Sequence, residues 1–425
     1  MSKLTPDIHI PTIDISDIKE WQTVVDREDG LYIGHPTTVL LSDGKTIITV
    51  YPKCHGYGQI VLKKSFDGGK TWSKRLPVPQ SFSTSLEVPT IFKTFDKDGN
   101  ERLIMFSGLY PIRMSVSYDN GETFSELKPI GDFGGVTAMG DIAELSPGEY
   151  IAVFHDDGRF IKGGTHEKIE VFGSGEGESA YSDFVHTYSD DGGKTWGEPQ
   201  AHWIKSEINK GQKRKKLYEA YAGKPYSDGR FYVYAVKSRD GGVTWGEPEI
   251  VCAPTPDMQL CEPAIVRSPD KKRLIMLLRE NTHKKNSFML ISDDNAKTWS
   301  EPIELCGALT GDRHCARYLK DGRLFISFRD TCRNSPTWGD WVAWVGTFDD
   351  IVNGKEGQYR LRIMKNYYNG DCAYPGIEIL PDGTVVTTTY GHFDNCADEE
   401  KRKNEAYVVS VRFKIEDAEK RGTIL

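Results

Sequence analysis

The chain has 425 residues, with 54 Lys plus Arg against 62 Asp plus Glu, and a formal net charge of −8. An acid-rich chain of this kind is not a general binder of nucleic acid, and it lacks the apolar run of about 18 residues that would cross a membrane as a helix. The 20 Tyr, 18 Phe and 9 Trp with 42 Gly and 21 Pro suit an aromatic-rich, turn-rich all-β protein, a class that runs long as a single domain.

Residues 1–30 are irregular and are expected to pack as an extension on the domain that begins after them. The opening MSKLTPDIHIPTIDIS has no apolar signal-peptide core, an expectation that fits either an intracellular or an exported chain. From Gly34 onward six stretches share one pattern of a polar start, alternating apolar residues, a turn and a second apolar strand. They are GHPTTVLLSDGKTIITVY from Gly34, EVPTIFKTFDKDGNERLIMFSG from Glu87 and GDIAELSPGEYIAVFHDDG from Gly140. Then come EPAIVRSPDKKRLIMLLREN from Glu262, GDRHCARYLKDGRLFISFRD from Gly311 and DCAYPGIEILPDGTVVTTTYG from Asp371. Strand, Asp-Gly turn and strand is a hairpin signal. The region from Gly158 to Lys237 shows no such start and reads as an insertion, at about 160–235, into the third unit. It holds the basic run Lys210–Lys216, a solvated loop or a rim that attracts an anionic glycan. The charged tail from Glu416 to Arg421 reads as a short helix. Residues 31–425 otherwise read as one domain.

A second pattern runs through these units. Ser-x-Asp-x-Gly-x-Thr-aromatic occurs at Ser65–Trp72, Ser117–Phe124, Ser189–Trp196, Ser238–Trp245 and Ser292–Trp299, with Ala296 in place of Gly in the last copy. In each, the Asp carboxylate can accept backbone N–H groups across a tight turn, and Gly supplies a positive φ. The closing aromatic has a large apolar body to bury on a neighbouring repeat. Units of this kind cannot cover their own apolar faces, so they stack. The boxes resemble the Asp-boxes of the sialidase superfamily, over roughly Gly30 to Val411. That resemblance implies a β-propeller with boxes on its rim. Six strand-pair starts imply six blades, with seven as the alternative if the insertion forms a blade of its own.

In a propeller the innermost strands bring distant positions to one axis. The polar residues at their starts are His35, Glu87, Asp141, Glu262, Arg313 with His314, and Asp371 with Tyr374. The ends of the second strands add His55, His155 with Asp156 and Asp157, Arg279, Arg329 and His392. Basic groups among acids suit a negatively charged sugar, because guanidinium grips carboxylate in a fork. Arg279 and Arg313, then Arg113, are the expected carboxylate clamp, with Glu87, His314 and Asp371 also on the substrate. By resemblance to sialidases, Glu262 takes the place of the Glu that activates a Tyr nucleophile, Arg279 that of the second triad Arg, and Tyr374 that of the nucleophile. The chain departs from that pattern twice. Gly34-His35-Pro36 stands where an Arg-Ile-Pro motif is expected, and His55, in Lys53-Cys54-His55-Gly56-Tyr57, stands where an acid/base Asp is expected. An imidazole can do acid/base work at neutral pH, with His35 or Asp141 as its helpers.

These residues imply an exo-acting glycoside hydrolase that removes a terminal acidic sugar, sialic-acid-like or uronic. The pair His35 and His55 also resembles that of propeller-fold polysaccharide lyases, in which a His and a Tyr (here Tyr374 or Tyr110) cleave uronate glycans by β-elimination, with Arg113 neutralising the uronate. A non-catalytic glycan-binding propeller is the third alternative. The partner in each case is an oligosaccharide or polysaccharide bearing an acidic sugar. No cofactor or metal is implied. The eight cysteines form no CxxC pair and read as free thiols.

Overall fold

A computed structural model describes residues 8–56, 58–85, 87–161, 166–174, 181–191, 193–198, 200–203 and 229–425. Lys210–Lys216 lies outside the described residues. Six antiparallel sheets succeed one another along the chain. Blade 1 is Thr37–Leu40, Ile47–Pro52 and Ile60–Ser65. Blade 2 is Thr90–Phe95, Glu101–Ser107, Arg113–Ser117 and Lys128–Pro129. Blade 3 is Val136–Ser146, Glu149–Asp156, Tyr232–Ser238 and Glu249–Cys252. Blade 4 is Leu260–Arg267, Leu274–Glu280, Phe288–Ser292 and Ile303–Glu304. Blade 5 is Gly311–Tyr318, Leu324–Asp330, Trp341–Gly346 and Tyr359–Met364, and blade 6 is Gly376–Ile379, Val385–Gly391 and Tyr407–Phe413.

The first strand of each blade touches the first strand of the next, and that of blade 6 touches that of blade 1. The sheets therefore close into a ring of six. The protein is a six-bladed β-propeller. A further sheet, His166–Ser174, Tyr181–Ser189 and Gln200–Trp203, lies in sequence between the second and third strands of blade 3 and pairs with none of the six. The Ser189 box sits on that sheet, so five boxes do not count five blades.

The N-terminal residues are strands of the ring. Gln22–Asp26 pairs with Tyr407–Phe413 as the outer strand of blade 6, so the two ends of the chain share one blade. Thr12–Asp14 runs parallel to Tyr359–Met364 at the outer edge of blade 5, where Thr423–Ile424 joins it. The tail helix, Ile415–Arg421, buries Ile415 and Ala418.

Second strands such as Leu274–Glu280 are buried almost throughout because neighbouring blades cover both faces. The boxes help set that spacing. In the first, Asp67 accepts from the N–H of Lys70 (3.1 Å) and Thr71 (2.9 Å), and Ser65 Oγ accepts from Gly69 N at 2.8 Å. The box glycines press on the preceding blade: a Cβ on Gly121 would stand 2.4 Å from Ile48 Cδ1, and one on Gly242 2.4 Å from Ile104 Cδ1. Trp245 of blade 3 meets Phe106 of blade 2 edge-on at 5.7 Å. Ala296 takes the same left-handed backbone at φ +62°.

Candidate active site

The strand starts on the axis are bent. His35 (φ +61°), Glu262 (φ +49°), Arg313 (φ +57°) and Ala373 (φ +59°) are all left-handed non-glycines, and Thr137 (φ +51°) repeats the feature in blade 3. Register breaks fall between Cys261 and Ala264, and between Asp312 and Cys315. A bulge turns the side chain of a first strand out of the sheet, here toward the axis. Such backbone costs about 1–3 kcal/mol per residue and clusters at ligand sites.

Blades 4, 5 and 6 share one charged network. The Tyr374 hydroxyl donates to Glu262 Oε1 in a short hydrogen bond, and Arg279 Nη1 donates to the same oxygen at 3.1 Å. Arg279 Nε lies 3.1 Å from Asp312 Oδ1. Asp312, 1% exposed, also takes Arg329 through Nε (3.1 Å) and Nη2 (2.9 Å), and His283 Nε2 at 3.0 Å. Arg329 Nη1 reaches on to Gly370 O at 3.0 Å. Burial works against the charges of Glu262 and Asp312, but Arg279 holds the first below its ordinary range, and Arg329 with His283 holds the second well below it. Burial, then the nearby Glu262 charge, pushes the Tyr374 phenol up, so it is a hydroxyl at neutral pH.

Blades 1 and 6 contribute a ring-rich wall. The His35 ring lies 4.5 Å from Tyr374, 4.4 Å from Tyr390 and 4.7 Å from His55. Asp371 accepts from Tyr32 OH, from Tyr390 OH at 2.9 Å and from His392 Nε2 at 3.1 Å. Burial opposes its charge, yet the His392 hydrogen bond and the nearby His55 and His35 hold it well below the usual carboxylate range. His35 is buried, while His55 is exposed. Arg313 stands over the Tyr374 ring with its guanidinium carbon 5.6 Å from the centroid. It is 6% exposed, its Nη1 has no hydrogen-bond partner, and it makes no ion pair among the described residues.

Seven residues named from the sequence thus converge: His35, His55, Glu262, Arg279, Arg313, Asp371 and Tyr374. Their roles differ in part from expectation. Arg279 is committed to Glu262 and Asp312, which leaves Arg313 as the uncompensated cation. Asp371 holds tyrosines and a histidine. Glu87 flanks the cluster from blade 2, near enough to feel the charge of Arg313, and burial raises its carboxyl to about 7.

Three others are occupied elsewhere. Asp141 staples blade 3 to blade 4, accepting from Ile265 N (3.0 Å) as well as Ile142 N (2.8 Å). His314 points the opposite way from Arg313, because successive side chains alternate; it contacts Leu309 O at 3.0 Å and Phe328 at 5.0 Å. Arg113 binds Thr84 through Oγ1 (2.6 Å) and O (2.7 Å). His155 backs the site, accepting from Glu262 N at 3.3 Å. Asp312, Tyr32, Tyr390 and His283 were not singled out by sequence reasoning. Asp312 had a signal, since it stands beside Arg313 at a strand start. Among the described residues no group of three or more His, Cys, Asp or Glu is arranged to hold a metal.

Residues 171–385, half of the chain, match the BNR repeat-like domain, and residues 63–74, which span the first box, match the BNR/Asp-box repeat. The chain belongs to the BNR repeat-like family. None of the curated proteins matches it in sequence. Solved structures similar to this BNR repeat chain include a protein of unknown function from Dyadobacter fermentans DSM 18053, at 14% identity and TM-score 0.43, covering 92% of this chain and 97% of that one. The NanB sialidase from Streptococcus pneumoniae is 13% identical, with TM-score 0.46 and coverage of 95% and 73%. The intramolecular trans-sialidase from Ruminococcus gnavus is 16% identical, with TM-score 0.45 and coverage of 95% and 99%.

Proposed function

We propose that this BNR repeat propeller is an exo-acting glycoside hydrolase that removes a terminal acidic sugar from a glycan. One observation carries the reading: a Tyr hydroxyl bound to a carboxylate lies beneath an uncompensated buried guanidinium. Arg313 holds the sugar carboxylate. Tyr374 oxygen attacks the anomeric carbon while its proton passes to Glu262, which Arg279 keeps ionised. The glycosidic C–O bond breaks, and the leaving oxygen takes a proton from His55 at the exposed mouth. Water then displaces the Tyr374 oxygen, giving one proton to His55, and Tyr374 recovers its own from Glu262. A neutral nucleophile avoids setting a second carboxylate against the substrate's own.

The test is a panel of sialosides, uronic-acid-capped oligosaccharides and ulosonic-acid conjugates read by mass spectrometry in labelled water. Released sugar acid should carry solvent oxygen. Tyr374→Phe and Glu262→Gln should each lose turnover by about 10²-fold or more while keeping their melting temperature. Full activity in both variants removes the assignment.

A second reading, β-elimination on a uronate glycan, draws on the neutral His35 imidazole 4.5 Å from Tyr374. Its product is a 4,5-unsaturated uronate without solvent oxygen, so the same panel separates the two.

A further inference from the structure

The hydrogen bonds around Asp371 fix which nitrogen of His35 carries hydrogen. Asp371 Oδ2 takes His392 Nε2 at 3.1 Å, and Tyr32 OH spans both oxygens at 3.0 and 2.9 Å. Oδ1 takes Tyr390 OH at 2.9 Å. An ionised carboxylate has no hydrogen to give and draws a hydroxyl hydrogen more strongly than a neutral ring nitrogen does. The single hydrogen of Tyr390 therefore points to Asp371. His35 Nε2 lies 3.2 Å from the Tyr390 oxygen, and that contact is a hydrogen bond only if the imidazole donates. Nε2 carries the hydrogen and Nδ1 is bare. A carboxylate fixes a catalytic histidine's tautomer by the same logic, and here a tyrosine is placed between them. Burial, then the neighbouring His55, Arg329 and Arg313, keeps the ring neutral against the opposing pull of Asp371.

His35 Nδ1 is buried without a partner, and so are Glu262 Oε2 and Arg313 Nη1. Their residues are 4%, 3% and 6% exposed. All three border Tyr374. An unsatisfied buried polar atom costs about 1–3 kcal/mol, and more when charged, so three around one tyrosine mark a place that a ligand completes. Their chemistry is specific: two bare acceptors and one cationic donor.

We infer that the site reads a polyhydroxylated sugar acid, with its carboxylate on Arg313 and hydroxyl hydrogens donated to His35 Nδ1 and Glu262 Oε2. The bare nitrogen of His35 refuses a carboxylate, so the anionic group has one place only. Tyr390 and Asp371 are positioning residues that set the tautomer. The inference deepens the hydrolase reading by naming what the sugar presents, and it draws on that reading only for the idea that the ligand is turned over.

Two measurements test it without turnover. In the full chain labelled with ¹⁵N-histidine, long-range ¹H–¹⁵N correlation spectra at about pH 6 to 8 report the tautomer of each ring. His35, assigned by the signal lost in His35→Gln, is expected as the Nε2–H form. In Tyr390→Phe, which removes the hydroxyl that accepts from Nε2, both tautomers are expected. An Nδ1–H or doubly protonated His35 in the unmodified chain, or an unmoved tautomer in Tyr390→Phe, overturns the relay. The second measurement titrates the chain with free glucuronate, galacturonate and N-acetylneuraminate and with their methyl esters. At least one acid should bind, and its ester should bind about tenfold more weakly. His35→Asn, which keeps an acceptor near the Nδ1 position, should retain affinity within about threefold, whereas His35→Leu should lose about tenfold. Binding of none of the acids, or equal binding to His35→Leu, overturns the ligand assignment. A chain that binds as expected and releases no sugar overturns the hydrolase reading and upholds this one.

Discussion

Replacing Arg313 with Met should make the protein more stable and unable to hold an acidic sugar. The guanidinium is 6% exposed, has an orphan Nη1 and makes no ion pair among the described residues. Its compensation is the face of Tyr374 at 5.6 Å and the more distant charges of Glu87 and Glu262. A cation over an aromatic ring contributes about 0.5–2 kcal/mol, whereas a buried ion in a real protein costs several kcal/mol. Methionine fills much of the same volume without charge. The net expectation is a gain of roughly 1–3 kcal/mol, the range seen when buried ions give way to apolar side chains of similar size. Urea unfolding of both chains at neutral pH measures it as a rise in midpoint at constant slope. A sugar acid that binds should raise the midpoint of the unmodified chain by mass action and leave that of Arg313→Met unmoved. A variant that is less stable by more than about 2 kcal/mol, or that keeps the ligand-induced rise, would refute the claim that Arg313 is uncompensated and waiting for an anion.

Neighbouring geometry gives three further outcomes. Asp312→Asn strips the charge facing Arg279, Arg329 and His283 and should cost about 3–5 kcal/mol by urea unfolding at pH 7. Because its folded carboxyl lies below the unfolded value near 3.9, that stability is fully present above the unfolded value and is lost as pH falls toward the folded one; a low-pH loss as steep in Asp312→Asn contradicts this. Glu87, raised to about 7, has the opposite sign: between its unfolded value and about 7 the native state keeps a proton that the unfolded chain has lost. Stability should therefore fall as pH rises through that window, and Glu87→Gln should flatten the fall in a series of urea midpoints. Gly121→Ala should cost about 2–4 kcal/mol, since φ is +74° and the new Cβ meets Ile48 at 2.4 Å, whereas Gly99→Ala, at φ +82° in open space, should cost about 1–2 kcal/mol.

The ring was legible because its signals are local. A box such as Ser65–Trp72 is closed by bonds within eight residues, and a strand start announces itself by a polar residue before an alternating run. The fate of the N-terminal residues was less so. Thr12–Asp14 and Gln22–Asp26 are short strands whose partners lie more than 300 residues away, and no local pattern names such a partner. The Ser189 box misleads in another way: its turn chemistry is satisfied wherever two strands meet, so the motif marks a hairpin without saying that the hairpin belongs to the ring.

Within the site the boundary between legible and hidden has the same physical origin. Position at a strand start says that a side chain approaches the axis, which brought His35, Glu262, Arg313 and Tyr374 together. It does not say whether the charge is free on arrival. Arg279 and Arg313 look alike in sequence, yet one meets two carboxylates and the other meets none. The difference is made by Asp312, one residue before Arg313, whose carboxylate accepts from Arg329 and lies beside Arg279 and His283. By neutralising Arg279 and Arg329 it leaves a single cation beside Tyr374, while Asp371, through Tyr390, turns His35 into an acceptor. Two aspartates that need not touch the substrate thereby decide where a sugar carboxylate is drawn and where it is refused.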